Sequence, residues 1–151
     1  MIERIVLDSW AILAWLQGED TGEIVRDLIS WVDGDGAAGK KVQTRWAKGI
    51  RPPKLFISLI NLGEVFYILG RRTGEKEAQE TIEEIKSSAI RIVPVSEQLV
   101  FEAASLKIKY PIAYADSFAL ATTMALGGAL VTGDPELRSV EEIDILWIGK
   151  E

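Results

Sequence analysis

The chain has 151 residues, 48% of them hydrophobic, and a formal net charge of −6. That length is one ordinary domain with enough core to fold unaided, and the composition is that of a globular protein rather than a disordered segment. Cysteine and histidine are both absent, which excludes disulfides, thiolate nucleophiles, cysteine-ligated zinc or iron–sulfur centres and the usual histidine general base, and leaves catalysis to carboxylates, hydroxyls, bound water, lysine and arginine.

Charges at Glu3, Arg4 and Asp8 leave no room for the apolar core of a signal peptide, and no apolar run approaches membrane-spanning length. A soluble, cytoplasmic protein with no membrane association is expected. Net negative charge disfavours a polyanionic partner, but local distribution decides, and a divalent cation offsets an acidic cluster.

In chain order, Glu3 to Leu7 (ERIVL) reads as a short buried strand. Trp10, Leu13, Ala14 and Leu16 then recur at helical spacing as far as Gly18. Asp20 with Glu23 has the form of a capping signal for a second helix carrying Ile24, Leu28, Trp31 and Val32, which the run DGDGAAG ends. From Asp33 to about Lys54 the chain is rich in glycine and basic residues and reads as an exposed loop inserted in a single domain spanning 1–151. Leu55 to Ser58 (LFIS) is a second strand, followed by an amphipathic helix on Leu62, Val65, Phe66 and Leu69. A charged helix over Glu75 to Ser87 leads into a third strand at Ile90 to Val95. Ser96 caps a helix from Glu97 to Lys109, Pro111 interrupts, and YADSFALATTMAL forms another helix ended by Gly127 and Gly128. ALVTGD supplies a fourth strand with its turn, and DILWIG a last one. Strands alternating with helices predict an α/β fold: a central parallel sheet of about five strands with helices on both faces.

Ligands of open parallel sheets sit beyond the carboxyl ends of the strands. Four acids map there: Asp8 after the first strand, Glu64 in the first turns after the second, Asp116 at the start of the helix before the fourth, and Asp134 after the fourth. Each has a structural reading. Asp8 and Asp134 are natural helix caps, the latter followed by Pro135, and Asp116 suits the positive end of a helix dipole. Glu64 resists such a reading, because it shares a helical row with Ile60 and Ile68 and there calls for a cation or a basic partner. Four converging carboxylates would repel one another without a cation, and an all-oxygen set suits Mg²⁺ or Mn²⁺.

These segments resemble the PIN-domain ribonucleases, and within them the VapC-type toxins of toxin–antitoxin pairs. IVLDSWAILAWL is similar to the family's opening strand and first acid, SLINLGEVFYIL to its second motif, and AYADSFALATTMALGGALVTGDPEL to its joined third and fourth motifs. The resemblance covers almost the whole chain. It implies a metal-binding catalytic set of Asp8, Glu64, Asp116 and Asp134, with Ser9 and Thr132 as supporting hydroxyls. It further implies Mg²⁺- or Mn²⁺-dependent hydrolysis of RNA to a 3′-hydroxyl and a 5′-phosphate, a homodimer, and an antitoxin partner that inhibits by placing a basic side chain among the acids. Direct metal ligation is expected of Asp8 and Asp116, ligation or water positioning of Glu64, and an outer or second-site role of Asp134.

The segment 33–54 is longer and more basic than the family pattern. Lys40, Lys41, Arg45, Lys48, Arg51 and Lys54 surround Trp46 there, and cations interleaved with an aromatic ring suit a single-stranded RNA path, although a solvated basic loop has the same composition. Its DGDG run lacks the downstream glutamate of a calcium loop. Arg71 and Arg72 read as dipole-stabilising residues at a helix end, and Tyr110 and Tyr114 as core or dimer contacts.

Other readings keep the sheet and change the chemistry. A phosphatase using an aspartate nucleophile would want a second aspartate where Trp10 stands, and a receiver domain an adjacent acidic pair. An RNA-processing nuclease without an antitoxin, or a non-catalytic interaction module on the same fold, remain alternatives.

Overall fold

The computed structural model describes residues 1–46 and 49–150. Its strands are β1 (Ile2–Leu7), β2 (Ile50–Ser58), β3 (Ile90–Val93), β4 (Ala129–Thr132) and β5 (Asp144–Trp147). They form one sheet in the order β3-β2-β1-β4-β5, and every pairing is parallel. The chain therefore builds outward from β1 in one direction, then returns to the other side of β1 with β4. The crevice between the carboxyl ends of β1 and β4 is the switch point where such sheets hold their ligands.

The helices are α1 (Ser9–Leu16), α2 (Glu23–Val32), α3 (Gly36–Arg45), α4 (Leu59–Thr73), α5 (Glu75–Lys86), α6 (Glu97–Lys109) and α7 (Tyr114–Leu126). Alternation along the strands divides the core in two. Ile5, Leu7, Leu55, Ile57, Val131 and Leu146 face α1 to α5, whereas Val6 and Leu130, with Phe56 and Ile145, face α6 and α7. Helix α7 is buried at every position from Asp116 to Thr123, which is why its sequence is apolar or small all round instead of amphipathic. The expected strands and helices are present with shifts of a few residues. No described helix is long and apolar enough to cross a membrane.

The segment 33–54 departs from the expected loop. Asp35 accepts hydrogen bonds from the backbone N–H groups of Ala37 and Ala38 at 3.0 and 3.2 Å and so caps α3. Ala38, Val42 and Trp46, spaced by four, are buried against the core. Gly39 is a packing residue, not a breaker: a Cβ there would lie 2.3 Å from the indole of Trp31. Strand β2 likewise begins at Ile50, and its Pro52 and Pro53 are tolerated because β3 pairs only with Leu55 to Ser58 and the β1 register shifts between Ile2 and Arg4.

Gly22, immediately before α2, makes a similar close approach. A Cβ at this position would lie 2.4 Å from the backbone carbonyl of Ala14 in α1. Backbone cannot swing aside as a flexible side chain does, so Gly22→Ala is expected to destabilise the fold by about 1–3 kcal/mol, measured by urea unfolding, with far-UV dichroism unchanged.

Candidate active site

Asp8 follows β1 and begins α1. One carboxylate oxygen accepts the Ala11 N–H at 2.8 Å, as a helix cap does, and the other accepts the hydroxyl of Thr132 from the end of β4. The Thr132 hydroxyl oxygen in turn accepts the N–H of Asp134 at 3.0 Å. A single threonine thus ties the first acid to the backbone of the fourth across the switch point. Asp134 also acts as a cap, accepting the Glu136 N–H at 3.0 Å. The structural reading of both aspartates is correct, and it coexists with their place in the cluster.

Glu64 projects from the second turn of α4 and is half-buried. One of its oxygens accepts two hydrogen bonds, from the Ser9 hydroxyl at 2.9 Å and from the Asn61 amide at 3.0 Å. That oxygen of Glu64 is therefore held by two neutral donors, a hydroxyl and an amide. Asp116 stands in the first turn of α7 and is 7% exposed, and Asp8 is 1% exposed.

Burial dominates the electrostatics. Asp8 is pushed up to about 7, first by desolvation and then by the charges of Asp134 and Glu64, against the lowering effect of the Thr132 and Ala11 hydrogen bonds. Asp116 is pushed up to about 8 by desolvation, by its interaction with Asp134 and by the charges of Asp8 and Glu64. Asp134 and Glu64 act on Asp8, and Asp134, Asp8 and Glu64 act on Asp116, so the four acids lie within electrostatic reach of one another.

A fifth carboxylate joins them. Oxygen atoms of Asp116, Asp134 and Glu136 all lie within 4.8 Å of one another, close enough to share a metal ion. Glu136 also accepts the Ala113 N–H at 3.3 Å, immediately before α7. Its sequence signal was an acid two residues beyond Asp134 in a proline-initiated turn. Asn61 was missed as well, and its signal was a lone amide three residues before Glu64.

The basic residues are dispersed. Lys40, Lys41 and Arg45 are exposed on α3, and Arg45 donates to the Trp147 carbonyl at the end of β5 at 3.4 Å. Trp46 corrects the expected aromatic platform. It is 8% exposed, and its indole N–H lies 3.5 Å from the same carbonyl, so its ring packs inside and is not offered to a base. Arg51 pairs with Glu3 at 3.2 Å near the amino end of the sheet, opposite the acids. Lys48 lies outside the described residues. Arg71 sits over Tyr67 at 5.2 Å, and the Tyr114 ring meets Phe118 edge-on at 5.1 Å.

The raised acids make a signed prediction for the metal-free protein. A carboxylate whose folded pKa lies above its unfolded value binds more protons when folded, so its penalty is absent below about pH 4 and grows as pH rises toward 7 to 8. Each unit of displacement is worth about 1.4 kcal/mol. In chelator-treated protein, stability should fall from pH 5 to pH 8. Asp8→Asn should be more stable than wild type at pH 8 and show a flatter slope, both measurable by thermal unfolding across pH.

The PIN domain family matches residues 5–143. No curated protein sequence is similar enough to match. Among solved structures, VapBC-1 from nontypeable Haemophilus influenzae aligns with a TM-score of 0.65 at 14% identity, covering 95% of this chain and 97% of that one. The toxin VapC20 of Mycobacterium tuberculosis, described as cleaving the sarcin–ricin loop, aligns with a TM-score of 0.58 at 22% identity over 93% and 98% of the two chains. A toxin–antitoxin complex from Klebsiella pneumoniae gives 0.54 at 19% identity over 95% and 98%. At these identities the structures establish a shared fold, and the family match runs from β1 through α1 to α7 and β4: the chain belongs to the PIN domain family.

Proposed function

We propose that this protein is a divalent-metal-dependent endoribonuclease that hydrolyses RNA phosphodiesters, and that it is the toxin of a type II toxin–antitoxin pair. The observation that carries the reading is the convergence of Asp8, Glu64, Asp116 and Asp134 at the β1/β4 switch point, with two of them desolvated and raised. Among the described residues, the ion pairs Arg51–Glu3, Lys86–Glu83 and Lys109–Glu142 use none of these carboxylates, and a bound cation would supply neutralising charge. An all-oxygen donor set fits a hard ion such as Mg²⁺ or Mn²⁺, and the three carboxylate oxygens that lie within 4.8 Å of one another are those of Asp116, Asp134 and Glu136.

Such an ion, when bound, lowers the pKa of water and offsets charge on the phosphoryl oxygens. The chain's own residues hold and orient. Asp8, fixed through both oxygens, and Asp116, at the N-terminus of α7, are assigned as direct ligands. Glu64 keeps one oxygen on Ser9 and Asn61 and is assigned as a ligand or water-positioning residue, and Asp134 as the outer or second-site acid. Thr132 and Ser9 hold Asp8 and Glu64 in place. Hydrolysis joins the water oxygen to phosphorus and releases the 3′-oxygen, leaving a 3′-hydroxyl and a 5′-phosphate.

Lys40, Lys41 and Arg45 are assigned to the RNA backbone. The structural neighbours include complexes with antitoxins, and by analogy a cognate antitoxin and a second copy of this chain are the expected protein partners, in the cytoplasm. The toxin assignment extends the nuclease reading by that analogy.

The test is cleavage of a structured RNA panel by purified protein with Mg²⁺, Mn²⁺ or chelator. Cleavage should require the metal, and Asp8→Asn and Asp116→Asn should lower it by about 100-fold or more while leaving the fold intact. Glu136→Gln should cost about 10- to 100-fold, the range for partners around a metal site. Wild-type rates in both aspartate variants would refute the mechanism, and absence of both cleavage and metal binding would favour an interaction module. Growth arrest on expression, relieved by the protein encoded immediately upstream, tests the toxin assignment.

A further inference from the structure

Asn61 is fully buried in the first turn of α4, where an amide is a poor helix former and leucine or alanine would pack without a polar penalty. Its nitrogen donates in two directions. One hydrogen bond goes to the Glu64 carboxylate at 3.0 Å, the other to the backbone carbonyl of Ala115 at 3.1 Å. Ala115 immediately precedes Asp116, so one amide group connects the second acid to the backbone that carries the third.

The same side chain is imperfectly satisfied. Its Oδ1 is buried and has no hydrogen-bond partner among the described residues, a condition that destabilises a fold. An amide kept for stability alone would be a poor choice at this position. What it supplies that an apolar residue cannot is a pair of donors of fixed geometry between two acid-bearing helices. Both partners are acceptors, so the side-chain orientation is dictated by chemistry: the amide nitrogen must face them, since its oxygen placed there would meet a carboxylate and a carbonyl with no proton between them. The Ser9 hydroxyl reaches the same Glu64 oxygen from α1. Glu64 is therefore held from α1 and from within α4, and the second of these ties runs on to α7.

The geometry points to Asn61 as a positioning residue of the acidic site: it selects the Glu64 conformation and sets the spacing between Glu64 and Asp116, and hence the affinity of the site for a divalent cation. This rests on the metal-dependent reading above. It assigns to Asn61 no contact with substrate.

The experiment is a double-mutant cycle read by Mn²⁺ binding. Isothermal titration calorimetry would compare wild type, Asn61→Leu, Glu64→Gln and the double variant, with far-UV dichroism and thermal midpoints alongside. Asn61→Leu is expected to weaken Mn²⁺ binding about tenfold, in the range for groups that orient metal ligands. In the Glu64→Gln background the same substitution should change affinity by less than about twofold, because partners that act through one another are not additive. With RNA, Asn61→Leu should lower kcat and leave KM unchanged.

A second measurement keeps Asn61 in place. The side-chain amide protons of Asn61, followed by NMR in isotope-labelled protein, should be protected from exchange and should shift when Glu64→Gln weakens the acceptor. An Asn61→Leu variant that melts earlier but binds Mn²⁺ like wild type, equal effects in both backgrounds, or amide protons that ignore Glu64→Gln would each overturn the assignment. Wild-type protein that binds no Mn²⁺ and cleaves no RNA would instead remove the metal-dependent reading and this inference with it.

Discussion

The carboxyl edge of this sheet is organised around like charges held close together out of water. Asp8 is almost inaccessible, and Asp116 nearly so. Desolvation alone would drive both toward the neutral form, and neighbouring acids push them further. Such a cluster costs stability in the metal-free state, and the fold supports it by committing neutral donors to it: the Thr132 and Ser9 hydroxyls, the Asn61 amide and the N–H groups of Ala11 and Glu136. Each donor fixes a rotamer without cancelling the negative charge. The charge remains for a cation to neutralise, and that is the physical content of the proposed metal dependence.

The supporting donors come from the same features that build the fold. Asp8 and Asp134 stand at the ends of β1 and β4 and cap the helical turns that begin there, so the local rule that starts each turn also points a carboxylate into the crevice. A parallel sheet has every strand end, and every succeeding helix start, on one edge. Capping residues of such a sheet are thereby brought near one another, and the switch point between β1 and β4 gives them space. The capping and site roles of these aspartates are two descriptions of one placement.

Away from the acids, helix α3 shows how composition misleads. Glycine and lysine made its segment read as a loop, yet three small or apolar residues at fourfold spacing suffice to dock it. Gly39 is what lets it approach Trp31. Docking turns Trp46 inward and leaves Lys40, Lys41 and Arg45 on the outer surface. The basic segment therefore contributes charge to the surface without the exposed aromatic ring expected from its sequence.

The alternation of strands and helices, the parallel sheet, the absence of thiol and imidazole chemistry, and the placement of the four acids after strands or near helix starts were all determined by the sequence, because periodicity, capping residues and residue type are local properties. Tertiary structure alone decided the strand order that makes β1 and β4 neighbours, the approach of Glu136 to Asp116 and Asp134, the span of Asn61 from Glu64 to Ala115, and the burial of Trp46. Each of these depends on contacts between residues distant in the chain. An isolated glutamate after a proline or an asparagine in an apolar helix carries the same local signal whether it faces solvent or a cluster of acids, and only packing distinguishes the two.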